Sequence, residues 1–163
     1  MSTNGEQREK SLSMSEIMTP NMTNFTGNVH GGYLLSLLDK VAYACATRYC
    51  GLDVVTLSVD QVFFKEPIYV GEIITVLAKV NYAGTTSMEI GMKVEAENIK
   101  TRITRHTNTC YFTMVAIDDK GKPSPVPALI LTADLDKRRF EEAKLRRAAR
   151  LKFMSEHQMR KNT

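Results

Sequence analysis

Asn24-Phe25-Thr26-Gly27-Asn28-Val29-His30-Gly31-Gly32 runs directly into Tyr33-Leu34-Leu35-Ser36-Leu37-Leu38-Asp39-Lys40-Val41-Ala42-Tyr43-Ala44-Cys45-Ala46-Thr47-Arg48-Tyr49. The first part is a polar loop ending in a glycine pair. The second is an apolar run that carries one acid, Asp39. Glycine has no Cβ, so Gly31 and Gly32 allow the main chain to approach a ligand where another residue would clash. A helix starting there leaves its first N–H groups unpaired and its positive dipole end facing the loop. A developing oxyanion suits such an end, and Asn24, the glycine pair and Asp39 together are the parts that acyl-transfer chemistry needs.

The helical reading comes from angle. At about 100° per residue, Ser36, Asp39, Lys40, Tyr43 and Thr47 fall within roughly one 100° arc, and almost everything else is apolar. A helix apolar nearly all round is a buried helix. Asp39 lies at the edge of its polar arc, about two turns from the glycine pair. A carboxylate there needs a partner or a water-filled cleft. Pairing with Lys40, Arg48 or a neighbouring subunit is the structural alternative to a chemical role. Tyr43 shares the arc and either orients Asp39 or satisfies a hydrogen bond of its own.

Outward from this stretch, the chain reads as strands. Ser13 to Thr19 alternates loosely, as an edge strand would. Val54 to Phe64 is β-branched and aromatic, and Pro67 and Gly71 break it. Glu72 to Asn81 and Ser87 to Glu97 alternate over long runs, with a turn at Tyr82-Ala83-Gly84-Thr85-Thr86 between them, and Arg105 to Ile117 reads as a further strand. Pro123, Pro125 and Pro127 mark an extended linker into a charged final helix. A strand, a buried helix, four long strands and an outer helix predict an α+β fold in which a curved antiparallel sheet wraps the central helix, the hotdog arrangement. The expected organisation is a disordered 1–12, a folded domain at 13–128 and a basic helical tail at 129–163.

The chain has 163 residues, a mass of 18.3 kDa and a formal charge of +4. That charge is uneven, with +5 on residues 134–163 and −1 on the rest. A mixed-charge helix is ordinarily a solvated face. The sharper reading is a platform for a phosphate-bearing ligand, and nucleic acid is disfavoured because acids interrupt the basic run. No apolar stretch is long enough to span a bilayer, and the first ten residues carry no secretory pattern. Cys45, Cys50 and Cys110 are odd in number and lack metal-ligand spacing, which fits a cytoplasmic protein with no metal site. Cys45 reads as core filler. His106 reads as a surface or interface residue and His157 as a solvated one, while Asp60 reads as an ordinary strand position, the alternative being an acid that supports the site from behind.

Asn24-x-x-Gly27-x-x-His30-Gly31-Gly32 followed by Asp39 resembles the signature of hotdog-fold acyl-CoA thioesterases, the group of the bacterial YciA type and the cytosolic acyl-CoA hydrolases. Val59-Asp60-x-x-Phe63-Phe64-x-x-Pro67-x-x-Val70-Gly71-Glu72, Gly84-Thr85-Thr86-Ser87 and the strand around Tyr111-Phe112 fit in order, so the resemblance covers about residues 12–128. It implies Asp39 as general base or nucleophile and Asn24 as the polar partner contributed by the facing subunit. It implies the Gly31 and Gly32 backbone as oxyanion donors, and Thr85, Thr86 and Ser87 along the coenzyme A path. It further implies a homo-oligomer, a dimer with shared sites assembled as a trimer of dimers. No cofactor is implied beyond the coenzyme A of substrate and product. His30 stands where Phe is also common, and Asn28 where an acid often sits. The rival function is a non-catalytic acyl-CoA or nucleotide sensor using the same cleft, with a hotdog dehydratase as a weaker third.

Overall fold

The computed structural model describes residues 8–161. Strand β1 (Ser11–Ile17) leads through a short 3-10 turn and the 24–30 loop to helix α1 (Gly31–Cys50). Strands β2 (Asp53–Val59), β3 (Glu72–Ala83), β4 (Ser87–Asn98) and β5 (Ile103–Ile117) follow, and helix α2 (Asp134–Lys161) ends the chain. All pairings are antiparallel, in the order β1-β3-β4-β5-β2. This is the α+β architecture expected, a sheet around a central helix with an outer helix behind it.

The sheet's inner face is built by period-two alternation. Ile74, Val76, Ala78 and Val80 of β3 are buried, as are Met88, Ile90, Met92 and Val94 of β4 and Cys110, Phe112 and Met114 of β5. They close on Leu34, Leu37, Leu38, Val41, Ala42, Cys45, Ala46 and Tyr49 of α1. Each fully buried side chain of this size contributes on the order of 1.5–3 kcal/mol. The helix ends at Gly51, whose φ of 74° is a left-handed cap, its N–H donating to the Thr47 carbonyl. The cysteines are free and buried, and burial pushes the Cys45 and Cys110 thiols up to about 12, so both pack as apolar filler.

Two element boundaries differ from the sequence reading. β1 begins at Ser11, earlier than expected, so residues 8–12 are not a disordered lead-in; residues 1–7 lie outside the described residues. Backbone pairing with β3 across Ser11↔Lys79 and Leu12↔Ala78 orders this start. The Val54 to Phe64 run is not one strand: β2 stops at Val59, and residues 60–71 form no strand. Aromatic propensity alone cannot tell a strand from an aromatic loop.

Helix α2 covers the sheet's outer face and is more than a solvated tail. Asp136 accepts from Lys10 Nζ at 2.7 Å and from Lys79 Nζ at 2.6 Å. Phe140 meets Tyr82 with ring centroids 5.0 Å apart, and Ala143 is buried. Arg146 donates through Nη2 and Nε to Glu89, only 2% exposed, at 2.7 and 3.1 Å, and its guanidinium lies 3.7 Å from the Tyr111 ring centroid. One turn on, Arg150 Nη1 donates to both carboxylate oxygens of Asp60, at 3.0 and 2.9 Å. Asp60 is therefore half of an ion pair between a loop and α2.

The two lysines hold the Asp136 carboxyl down to about 2, from an ordinary 3.8. A depressed folded value means this contribution is complete above about pH 4 and is lost as the pH falls through about 2. Asp136→Asn should therefore lower stability by about 1–3 kcal/mol at pH 7. That gap from wild type should close steadily below pH 4. Urea unfolding of both chains across that range checks it, and a gap independent of pH would refute the account.

Candidate active site

The site begins with a self-closed loop. Asn24 Oδ1 accepts from the N–H and hydroxyl of Thr26, at 2.9 and 2.7 Å, and from the Asn28 N–H at 3.2 Å. The Asn24 N–H donates to the Asn28 carbonyl at 2.7 Å, and Gly27, at φ 84°, makes the turn between them. The loop is tied down by Val29 N–H to the Ile68 carbonyl and His30 N–H to the Met22 carbonyl, both at 2.8 Å. Asn24 thus spends its carbonyl oxygen on the loop, while its side-chain NH2 has no hydrogen bond among the described residues.

His30 caps α1. Its Nδ1 accepts from the Gly32 N–H at 2.8 Å, and the Leu34 N–H donates to its carbonyl. A Cβ on Gly32 would lie 2.8 Å from His30 Cε1, so the missing side chain makes room for the capping ring. This separates the glycine pair. Gly32 spends its N–H on the cap, whereas the Gly31 N–H makes no hydrogen bond among the described residues and sits under the Phe64 ring, whose Cζ would be 3.6 Å from a Cβ there. Of the two amides expected to face an oxyanion, Gly32 is engaged by the cap and Gly31 is left without a hydrogen bond among the described residues.

Asp39 is exposed on the polar arc of α1, with Ser36, Lys40 and Tyr43 exposed beside it. Among the described residues its partner is not a cation. It accepts a hydrogen bond of 2.5 Å from the Thr56 hydroxyl on β2. Thr56 was not singled out in the sequence, where it reads as one more β-branched position. Tyr43 does not orient Asp39; its hydroxyl donates to Asp53 Oδ1 at 3.2 Å. Within one protomer no hydrogen bond joins Asn24 to Asp39. Thr85, Thr86 and Ser87 form the β3–β4 turn, held where the Val126 and Ala116 N–H groups donate to the Thr85 and Thr86 carbonyls. Their hydroxyls make no hydrogen bond among the described residues, and no hydrogen bond links this turn to Asp39. His106 and His157 are exposed and remote from Asp39 in their contacts, with His106 against Thr109 and His157 stacked on Phe153. Arg105 binds Glu72 at 2.7 Å and the Pro67 carbonyl, a structural brace for the 67–72 corner.

Residues 26–103 match the family model described as the thioesterase superfamily. An acyl-CoA hydrolase from Staphylococcus aureus, solved in complex with butyryl coenzyme A and coenzyme A, superposes with a TM-score of 0.83 and 32% identity, covering 91% of each chain. The chain belongs to the thioesterase superfamily. The hotdog expectation is met with it. A hexameric acyl-CoA thioesterase superposes at TM-score 0.84 with 33% identity, over 88% of this chain and 92% of that one. The VdlD protein of Helicobacter pylori is 53% identical over 139 residues, 85% of this chain and 79% of its own length. The Staphylococcus hydrolase has also been solved as Asn, Asp and Thr to Ala variants. Fifteen residues separate that Asn from the Asp and seventeen the Asp from the Thr, the intervals between Asn24, Asp39 and Thr56 here. No helix among the described residues is long and apolar enough to cross a membrane.

The cap yields a direct test. His30→Ala should cost about 0.5–2 kcal/mol of stability, and His30→Asn, which keeps a capping acceptor, should recover most of it. Thermal unfolding of the three chains reads this, and equal losses in both variants would show the ring to be packing and not capping.

Proposed function

We propose that this chain hydrolyses acyl-CoA thioesters to the free acid and coenzyme A, with Asp39 as its general base. The observation carrying the reading is Asp39 itself. It is a carboxylate set on the open arc of an otherwise buried helix, held by a neutral hydroxyl donor and by no cation, so one oxygen remains to take a proton. In the step proposed, water attacks the thioester carbonyl carbon while Asp39 takes its proton. The carbonyl oxygen becomes an oxyanion facing the α1 N-terminus, where the Gly31 N–H and the helix dipole stabilise it. Collapse breaks the C–S bond, and the departing thiolate recovers the proton from Asp39. Direct attack by Asp39 to give an anhydride is the covalent variant of the same site. A thioester has a good leaving group, so the reaction calls for no cofactor beyond the coenzyme A in the substrate.

The site is completed by a second copy. Asn24 and Asp39 make no bond within one protomer, and Asp39 stands beside β2, the last strand of the sheet. Among the described residues the far edge of β2 is unpaired, with Val55, Leu57 and Val59 exposed around it. An open edge of this kind is a template for pairing with another chain. We place the dimer there, with Asn24 of the facing subunit reaching Asp39 and Thr85, Thr86 and Ser87 along the coenzyme A path. The hexameric neighbour supports a trimer of such dimers.

Free-thiol release over a panel of acyl-CoAs from short to long chain tests the chemistry. Asp39→Ala should lower kcat by about 10²–10⁴-fold with the assembly intact, and Asn24→Ala should lower it with little change in size. Tight acyl-CoA binding without turnover in the wild type would overturn the hydrolase in favour of a sensor. Val55→Arg, placing a charge on the open edge, should shift the assembly towards smaller species in light scattering and lower turnover in parallel. Full turnover by a dissociated chain would refute the shared site.

A further inference from the structure

Helix α2 lies on the opposite face of the sheet from Asp39, yet one of its side chains is bonded to the residue that directly follows β2, the strand whose Thr56 donates to Asp39. Arg150 Nη1 reaches both Asp60 oxygens, and the two side chains are only 23% and 17% exposed, so this is not a loose surface pair. The contact is a charge-assisted one, a single guanidinium nitrogen shared between the two carboxylate oxygens. Asp60 is the first residue after β2, and its N–H donates to the Tyr111 carbonyl at 3.0 Å. Both its backbone and its side chain are therefore pinned.

What lies on either side of that pin is the site. Four residues upstream is Thr56, donor to Asp39. Four residues downstream is Phe64, whose ring covers Gly31. Between Thr56 and the pin the β2–β5 register slips, with Thr56 opposite Met114 and Ser58 opposite Thr113, so Leu57 is an extra residue and stands 67% exposed. A bulge interrupts the ladder and bends its strand. Thr56 closes the run of pairs that begins at Asp53↔Ile117, and past the bulge the strand resumes at Ser58↔Thr113 and runs to Asp60. The strand end beyond the bulge is thus held by its ladder bonds and by Arg150 together.

We propose that Arg150, acting through Asp60, is a positioning residue for Asp39, so that the C-terminal helix sets the geometry of the base and of the Phe64 wall from behind the sheet. This rests on the reading of Asp39 as the base. Arg150 lies outside residues 26–103, the part that matches the family model.

The test is a double-mutant cycle on the full-length assembly, with kcat, KM and the pH profile of kcat/KM measured for Arg150→Ala, Thr56→Val and both together. Arg150→Ala should lower kcat about 5- to 30-fold with a smaller change in KM, and should move the acidic limb of the profile in the same direction as Thr56→Val, because one misplaces and the other deletes the Thr56 hydroxyl that donates to Asp39. The double variant should be little worse than Thr56→Val, since the two act through one bond. Arg150→Lys should recover part of the rate. Lys10→Ala, which loosens α2 at its other clamp, should leave kcat unchanged. Additive losses in the cycle, or an equal fall in Lys10→Ala, would overturn the proposal in favour of general undocking of α2. Hydrogen exchange gives a readout free of turnover: Arg150→Ala should speed exchange in residues 53–64 and leave α1 protected, and unchanged exchange there refutes the coupling. Absence of thiol release by the wild-type chain would defeat the hydrolase reading instead, and the exchange result would still decide whether Arg150 holds the strand.

Discussion

Everything at the site depends on how α1 is buried. A helix with apolar residues on nearly every side would ordinarily need covering from all directions. Here the concave sheet takes the side lined by Leu34, Leu38, Val41, Ala42 and Cys45 and leaves a single polar arc outside. Asp39 is on that arc because of helical angle alone, and Gly31 is at the open end because the helix starts there. A carboxylate moved one position back, to the place of the fully buried Leu38, would turn about 100° and meet the sheet, where a charge without a partner is costly. The core therefore aims the chemistry.

The outer face of the sheet is held by a different kind of contact. Glu89 is 2% exposed, Asp136 is buried, and both are met by cations from other elements. Buried pairs of this sort return little net stability against well-packed apolar groups, but removing Arg146 would strand the buried Glu89 at a cost of about 3–5 kcal/mol, whereas Lys10 and Lys79 keep access to water when Asp136 is lost. They therefore act mainly on register. Asn81, the extra residue of the β3 bulge, packs so closely on Gly91 that a Cβ there would lie 2.2 Å from its Nδ2, and the same Asn81 reaches Glu89. Bulges in β3 and β2 each sit beside a residue clamped by α2. Strands that bend at bulges are strands whose register needs an external hold.

The sequence made the central helix legible because one period, one glycine pair and one glycine stop all agreed, from Gly31 to Gly51. The long strands were legible for a similar reason, since period-two alternation survived along β3, β4 and β5. Three things were not. The end of β2 was hidden because Phe63 and Phe64 have strand propensity yet lie in a loop, where the Phe64 ring sits against Gly31 at the helix start. Thr56 was hidden because a threonine in a strand is an ordinary sight until a carboxylate is found opposite its hydroxyl. The role of α2 was hidden because Asp136, Arg146 and Arg150 read as three charges among fifteen, and only the folded sheet supplies Lys79, Glu89 and Asp60 as their partners. Asn24 and Asp39 stood out in the motif, but the absence of a bond between them within a protomer is a property of the folded loop, which turns the Asn24 oxygen inward.

That last point joins assembly to chemistry. The edge of β2 carries the unpaired backbone and exposed apolar side chains that a monomer would have to blunt with charge, proline or a covering segment. None of these stands at Val55, Leu57 or Val59. The residue beside that edge on α1 is Asp39, and the loop residue proposed to work with it has its side-chain NH2 unbonded in its own protomer. A surface that is costly to leave in water and a site short of one polar group occupy the same border of the fold. Pairing along β2 would relieve both at once, so an isolated protomer would be expected to be the less stable and the less active form for one and the same reason.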